Sequence, residues 1–219
     1  MHKFFPHAQD PVSCGTHAIG AAAAFAGGVL YLFRASRVGA PTQALAAAMC
    51  FCFSMIALYS ASAIYHYYPG DTNSGGVKRR LRKMDHSMIY VLIAGSYTPF
   101  SLVLLPQPKG TRFCLGIWGV AIAGVLAKLL WMNAPRVLST LFYLAMGWAV
   151  LFAWEDFKVL GQPCLTLVAL GGVCYSVGAV FYAVKKPSIS ARWTFHELFH
   201  LLILAGSLFH YLAVYFYVL

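Results

Sequence analysis

Apolar residues gather along this chain into seven stretches of roughly 20, the length a helix needs to cross about 30 Å of hydrocarbon. They lie near 14–33, 43–67, 86–105, 113–132, 137–154, 161–184 and 196–219. The connections hold helix breakers: Pro41, Pro69-Gly70, Asn73 to Gly76, Pro106 to Gly110, Pro135, Gly161 to Pro163, and Pro187. No linker is long enough to separate a second domain. The pattern predicts an all-α membrane protein, a seven-transmembrane helix bundle forming one domain over 1–219.

Composition agrees with that class. The 219 residues are 60% hydrophobic and only 10% charged, with mean hydropathy +0.70, which excludes an ordinary soluble core and surface. Six cysteines fall in or beside the spans without forming a CxxC pair. They read as small packing residues, with no disulfide or thiolate-metal framework. The first stretch follows about a dozen residues that lack a small-residue cleavage site, and it is expected to be a retained helix, with no signal peptide.

Charge sets the expected orientation, because Lys and Arg concentrate in cytoplasmic loops. One side collects Lys3, the run Lys78, Arg79, Arg80, Arg82 and Lys83, then Lys128, Arg136, Lys185, Lys186 and Arg192, eleven in all. The other collects five: Arg34, Arg37, Lys109, Arg112 and Lys158. The N-terminus is expected in the cytoplasm and the C-terminus outside, in a multi-pass cell membrane. In a short loop between spans, the run at 78–83 reads as a topology signal and a contact for anionic lipid, with no nucleic-acid partner implied.

Five polar residues interrupt the ends of these apolar stretches. Ser62 and His66 close the second, Asp85 opens the third, and His196 and His200 open the seventh. Alternating chain direction brings all five to one face of the membrane. His196 and His200 are four apart and project from one helical face about 5–6 Å apart at Cβ. Ser62 stands in the same relation to His66. Three neutral imidazoles suit zinc at about 2.0–2.1 Å, with a fourth position left to water in a catalytic site. Asp85 is the candidate to manage that water's proton, and Ser62 to hydrogen-bond it or a developing oxyanion. Taken singly, each residue has a plainer reading: an interfacial histidine, a packing serine, a helix-capping aspartate. Coincidence of chemistry, side and depth across three distant segments favours the metal.

Other polar residues were weighed against the same site. His17 lies about one turn into the first span, where it reads as an interfacial or supporting residue. His86 points about 100° away from Asp85 on a helix, and His210 lies about 15 Å beyond His200. Lys128 is expected to snorkel to the interface. Residues 196–200, HELFH, match the HExxH pattern in which the glutamate is a general base, so Glu197 stands as a possible base. An intramembrane metalloprotease fits less well, because no later aspartate supplies a third ligand and His66 does.

On these residues the chain resembles the hemolysin III family, the bacterial branch of the progestin and adipoQ receptor superfamily that includes adiponectin receptors. The matching pieces are DPVSCGTHAIG at 10–20, SASAIYH at 60–66, LRKMDHSMIYVLIAGSYTPF at 81–100 and HELFHLLILAGSLFHYLAV at 196–214. The resemblance covers essentially the whole chain. It implies a seven-helix bundle with a buried zinc near its cytoplasmic side, carried onto His66, His196 and His200, with Asp85 and Ser62 beside it. It also implies a bacterial plasma membrane. The long soluble N-terminal region of the eukaryotic receptors has no counterpart here, which weakens any carry-over of hormone binding.

Three functions follow as expectations. The first is a zinc-dependent hydrolase of a lipid amide or ester, similar to alkaline ceramidases, drawing its substrate from membrane lipids into the bundle. The alternative is a receptor or membrane-homeostasis sensor in which zinc staples helices. A channel or cytolysin ranks lower, since no ring of charged residues lines a path. A retinal pump is disfavoured because the seventh stretch has no lysine. Neither the lipid nor the oligomeric state is legible in the chain.

Overall fold

The computed structural model describes residues 7–72, 76–131, 133–190 and 193–219. Among them every regular element is helical, and seven helical segments are long and apolar enough to cross a membrane. Their principal helices are α1 (Pro11–Val38), α2 (Thr42–Tyr67), α3 (Gly76–Pro99), α4 (Lys109–Leu130), α5 (Arg136–Gly147), α6 (Gln162–Val184) and α7 (Phe195–Tyr217), with the third and fifth spans running on to Leu104 and Leu160. Large apolar side chains such as Phe25, Phe33, Leu115 and Phe152 point outward. That is the arrangement lipid demands, since every backbone polar group must be satisfied inside its own helix.

Local chemistry explains the helix ends. α1 starts on a proline and stops at Gly39, whose φ of 64° is the left-handed conformation glycine adopts without strain. α7 opens on Thr194 with a reciprocal capping box to Glu197. Pro99 cannot donate a backbone hydrogen bond, and α3 passes there into a π-turn over Phe100–Leu104.

Two expected boundaries shift. The third span was expected from 86, with the basic run in a loop, but α3 begins at Gly76 and takes the run into its first turns. Lys and Arg are good helix formers, and no breaker follows Gly76. Lys78 turns back on α2 and donates to the carbonyls of Tyr65 (2.5 Å) and Tyr68 (2.6 Å), satisfying that helix's open C-terminus. Asp85 therefore sits more than two turns inside α3 and is not a helix cap. The fifth span was expected to end at 154. Its regular helix stops at Gly147, and short helical turns carry the span to Leu160.

α1 packs on α2 and α7, α2 on α3, α3 on α4, and α6 on α7, whereas α5 leans chiefly on α6 and only sparsely on α3. Close approach of α6 and α7 depends on small residues. A Cβ at Gly171 would lie 2.3 Å from Cδ2 of His210. The His210 ring instead fits against α6 and donates from Nε2 to the Val168 carbonyl at 3.1 Å. Tyr59 of α2 and Tyr175 of α6 meet at Ser207 of α7, 2.5 and 2.8 Å away, a buried polar knot. Because α5 stands off from α3, a cavity of about 710 Å³ runs between α3, α5, α6 and α7.

Candidate metal centre

His66 reaches the centre from the last turn of α2, and His196 and His200 from the first two turns of α7. One nitrogen from each of the three imidazoles falls within 4.8 Å of the others. Nε2 of His66 and Nε2 of His196 are 3.2 Å apart. Two nitrogens each about 2.0–2.1 Å from one ion at the tetrahedral angle stand about 3.3 Å apart. His66 and His200 are buried, and Nδ1 of His200 has no hydrogen-bond partner among the described residues. Crowded lone pairs and an unpartnered buried nitrogen are costly without a cation to accept them, so the residues present fit a bound metal.

Asp10, just before α1, was not recognised as a site residue from the sequence. Its carboxylate accepts from Nδ1 of His66 at 2.9 Å. With that proton committed, Nε2 of His66 presents its lone pair inward, the usual device for orienting a metal-binding imidazole. The hydrogen bond from His66 holds the Asp10 carboxyl below the usual carboxylate range, outweighing its partial burial. The backbone assists, because the Asp10 N–H donates to the His66 carbonyl at 3.0 Å. The available signal was an Asp-Pro pair opening an apolar span. There Asp10 would ordinarily cap α1, yet its side chain makes no capping bond. Asp10→Asn is expected to weaken metal affinity about 10–100-fold, measured by competition with a chelator of known affinity.

Asp85 comes from α3 and shares the large cavity with Ser62, and His66 lies close enough to act on it electrostatically. Both Asp85 and Ser62 line the large cavity with His196 and His200. Asp85 and His196 also line a second, polar cavity of about 510 Å³ at this end of the bundle, together with Asp10, His66 and Thr72. The candidate centre thus lies between an apolar interior and a polar mouth.

The remaining residues are also placed. His17 lies in the cluster, its ring stacked on His200 with centroids 3.7 Å apart and both nitrogens unpartnered among the described residues. Stacking holds the His200 ring from behind. Glu197 accepts from the Thr194 N–H (2.9 Å) and hydroxyl (2.6 Å), and from Ser13 at 3.0 Å. Glu197 therefore serves as a helix cap that ties α7 to α1, and it also lines the polar cavity. His86 lines both cavities. Lys128, expected to snorkel outward, is buried and donates to Ser139. All six cysteines are free.

Fold and cluster together define a multi-pass membrane protein that gathers histidines from two helices at one end of a seven-helix bundle. Comparison with known proteins sharpens the class. The Haemolysin-III related family matches residues 5–211, and the chain belongs to that family, within the wider adiponectin receptor superfamily. It is 34% identical to Hemolysin-3 of Bacillus cereus over 205 residues, 93% of this chain and 89% of that one. It is 33% identical to the Hemolysin-3 homolog of Bacillus subtilis, covering 92% and 91%. The Adiponectin receptor protein of Drosophila melanogaster is 26% identical over 90% of this chain and 48% of its own. The Bacillus relatives agree with a bacterial plasma membrane.

Proposed function

We propose that this protein is a zinc-dependent hydrolase of a lipid amide or ester, its zinc held by His66, His196 and His200. The observation that carries the reading is the position of Asp85: a carboxylate from a third helix that lines both cavities together with the histidines. Zinc bound there would supply Lewis acidity, polarising a carbonyl and making water beside it more acidic. Asp85 takes the proton from the attacking water and returns it to the departing amine or alcohol. Ser62, in the same cavity as Asp85, is placed to steady its carboxylate, and Asp10 keeps His66 in the tautomer that faces inward. The apolar cavity receives the acyl chain, and the polar mouth admits water and releases the polar product. Zinc is preferred by donor set, three imidazoles with a carboxylate near. By the distribution of basic residues, this end faces the cytoplasm.

A second reading keeps the same site. The histidines join α2 to α7, and Asp10 joins both to the start of α1, so a metal there would also staple three helices. One relative is named a receptor, which suits a sensor of membrane state. Turnover separates the two: purified protein offered amide and ester lipids should release acyl chains, and release should stop when a chelator removes the metal. A complete lipid panel left untouched by metal-replete protein would leave the staple.

A further inference from the structure

Three cations from three helices converge on the large cavity beside the histidines. Arg82 comes from α3, Lys128 from the end of α4 and Arg136 from the start of α5, and all three line it. Each lies close enough to His86 to act on it electrostatically, and Arg82 acts on Lys128 as well. None forms an ion pair with a carboxylate among the described residues. Asp85 is the carboxylate that shares the large cavity with them; it faces Arg82 and Lys78, and Lys78 is occupied by the carbonyls of α2, while Arg82 and Arg136 also reach the polar cavity that Asp10 and Glu197 line.

This is not an ordinary interfacial arrangement. Lys and Arg at helix ends normally carry their charge out to water. Lys128 is only 5% exposed, and a serine hydroxyl is its described polar partner. Arg136 is fixed over the Tyr182 ring, 4.6 Å from its centroid, while donating to the Tyr182 carbonyl at 3.3 Å. Arg82 makes no hydrogen bond to a described residue. A buried cation is costly unless an anion meets it, and an intramembrane charge points to function by default. In the large cavity Asp85 is the one described carboxylate beside three cations, an excess of positive charge that an anionic ligand would balance.

The rest of the cavity says what carries that anion. Its lining follows α3 from Arg82 to Phe100, about 27 Å at 1.5 Å per residue. Past the basic end it runs over Ile89, Ile93, Leu144, Leu165 and Ile203. A charged end with a long apolar continuation matches one amphiphile, head at the cations and tail along α3. We propose that Arg82, Lys128 and Arg136 form an anion subsite for the phosphate headgroup of a membrane lipid whose acyl chain occupies the same cavity. This rests on the reading of the cavity as a lipid site and requires neither turnover nor metal. It narrows the lipid of that reading to one with an anionic phosphate head.

The test is equilibrium binding to full-length protein in neutral detergent, read by native mass spectrometry and thermal stabilisation, with metal content measured on each sample. The probes are dioleoyl phosphatidic acid, dioleoyl phosphatidylcholine and inorganic phosphate. Wild type should bind phosphatidic acid about tenfold tighter than phosphatidylcholine, a typical return for charge-assisted hydrogen bonds. Lys128→Gln/Arg136→Gln should bring the two lipids within about threefold at unchanged metal content, while Lys128→Arg keeps the preference. Arg82→Gln, which removes no described hydrogen bond, should lower the preference even if the double variant fails to fold. Equal binding of both lipids by wild type, or a full preference in folded Lys128→Gln/Arg136→Gln, would overturn the subsite. Stabilisation by inorganic phosphate equal to that by phosphatidic acid would overturn its assignment to a lipid. Because metal content is followed separately, loss of the hydrolase reading and loss of the subsite leave different signatures.

Discussion

Asp85→Asn is expected to leave the metal and the fold in place while lipid turnover falls by about 10²–10⁴-fold, the range for losing a general acid or base. Asp85 stands on α3, whereas the imidazoles come from α2 and α7, so the substitution removes proton transfer without removing a histidine. Asparagine keeps the shape of aspartate, which limits any loss of packing. Ser62→Ala should cost less than Asp85→Asn, since it only loosens the carboxylate. A Ser62 that instead donates to a developing oxyanion would show a fall of about 10²–10³-fold. The assay is initial rate at saturating lipid, paired with zinc per chain on the same preparation. Full turnover by Asp85→Asn with zinc bound would remove Asp85 as the general base, and no turnover by metal-replete wild type would leave the sensor reading ahead.

His196→Ala/His200→Ala should abolish metal binding and lower the melting temperature together. Both ligands sit one turn apart on α7, so their removal leaves His66 alone, supported by Asp10. At free zinc a thousandfold above Kd, binding stabilises the folded state by about 4 kcal/mol. For a chain of this size that corresponds to roughly 8–16 °C. Chelation should therefore bring wild type down to about the melting temperature of the double variant and change the variant little. An equal chelator effect on both would place the ion elsewhere.

Much of the fold is legible along the chain, because in lipid only helices and closed barrels satisfy their own backbone. Span length and the breakers between spans carry that information. The starts of helices carry less. Residues 78–83 read as loop by charge, yet Lys and Arg continue a helix well, and Lys78 does its work by bonding the end of α2. The three histidines could be placed at one end from helix direction alone, which requires no contact distances. Asp10 could not be found that way. Its partner is 56 residues away, and an aspartate before a proline at a helix start has a sufficient local explanation as a cap. Glu197 carries two overlapping motifs, HExxH and a capping box with Thr194, and its bonds to Ser13 and Thr194 show the capping role that the first motif hides. Lys128 looked like a snorkelling residue because nothing in its neighbourhood reveals that α5 stands away from α3 and leaves a cavity there.

The most direct measurement is the metal content of the purified full-length protein, determined by elemental analysis in mild detergent with no metal added after lysis. The account predicts about one zinc per chain, falling to background in His196→Ala/His200→Ala. Zinc at background in the wild type, with none taken up on adding it, or an undiminished zinc content in the double variant, would contradict it.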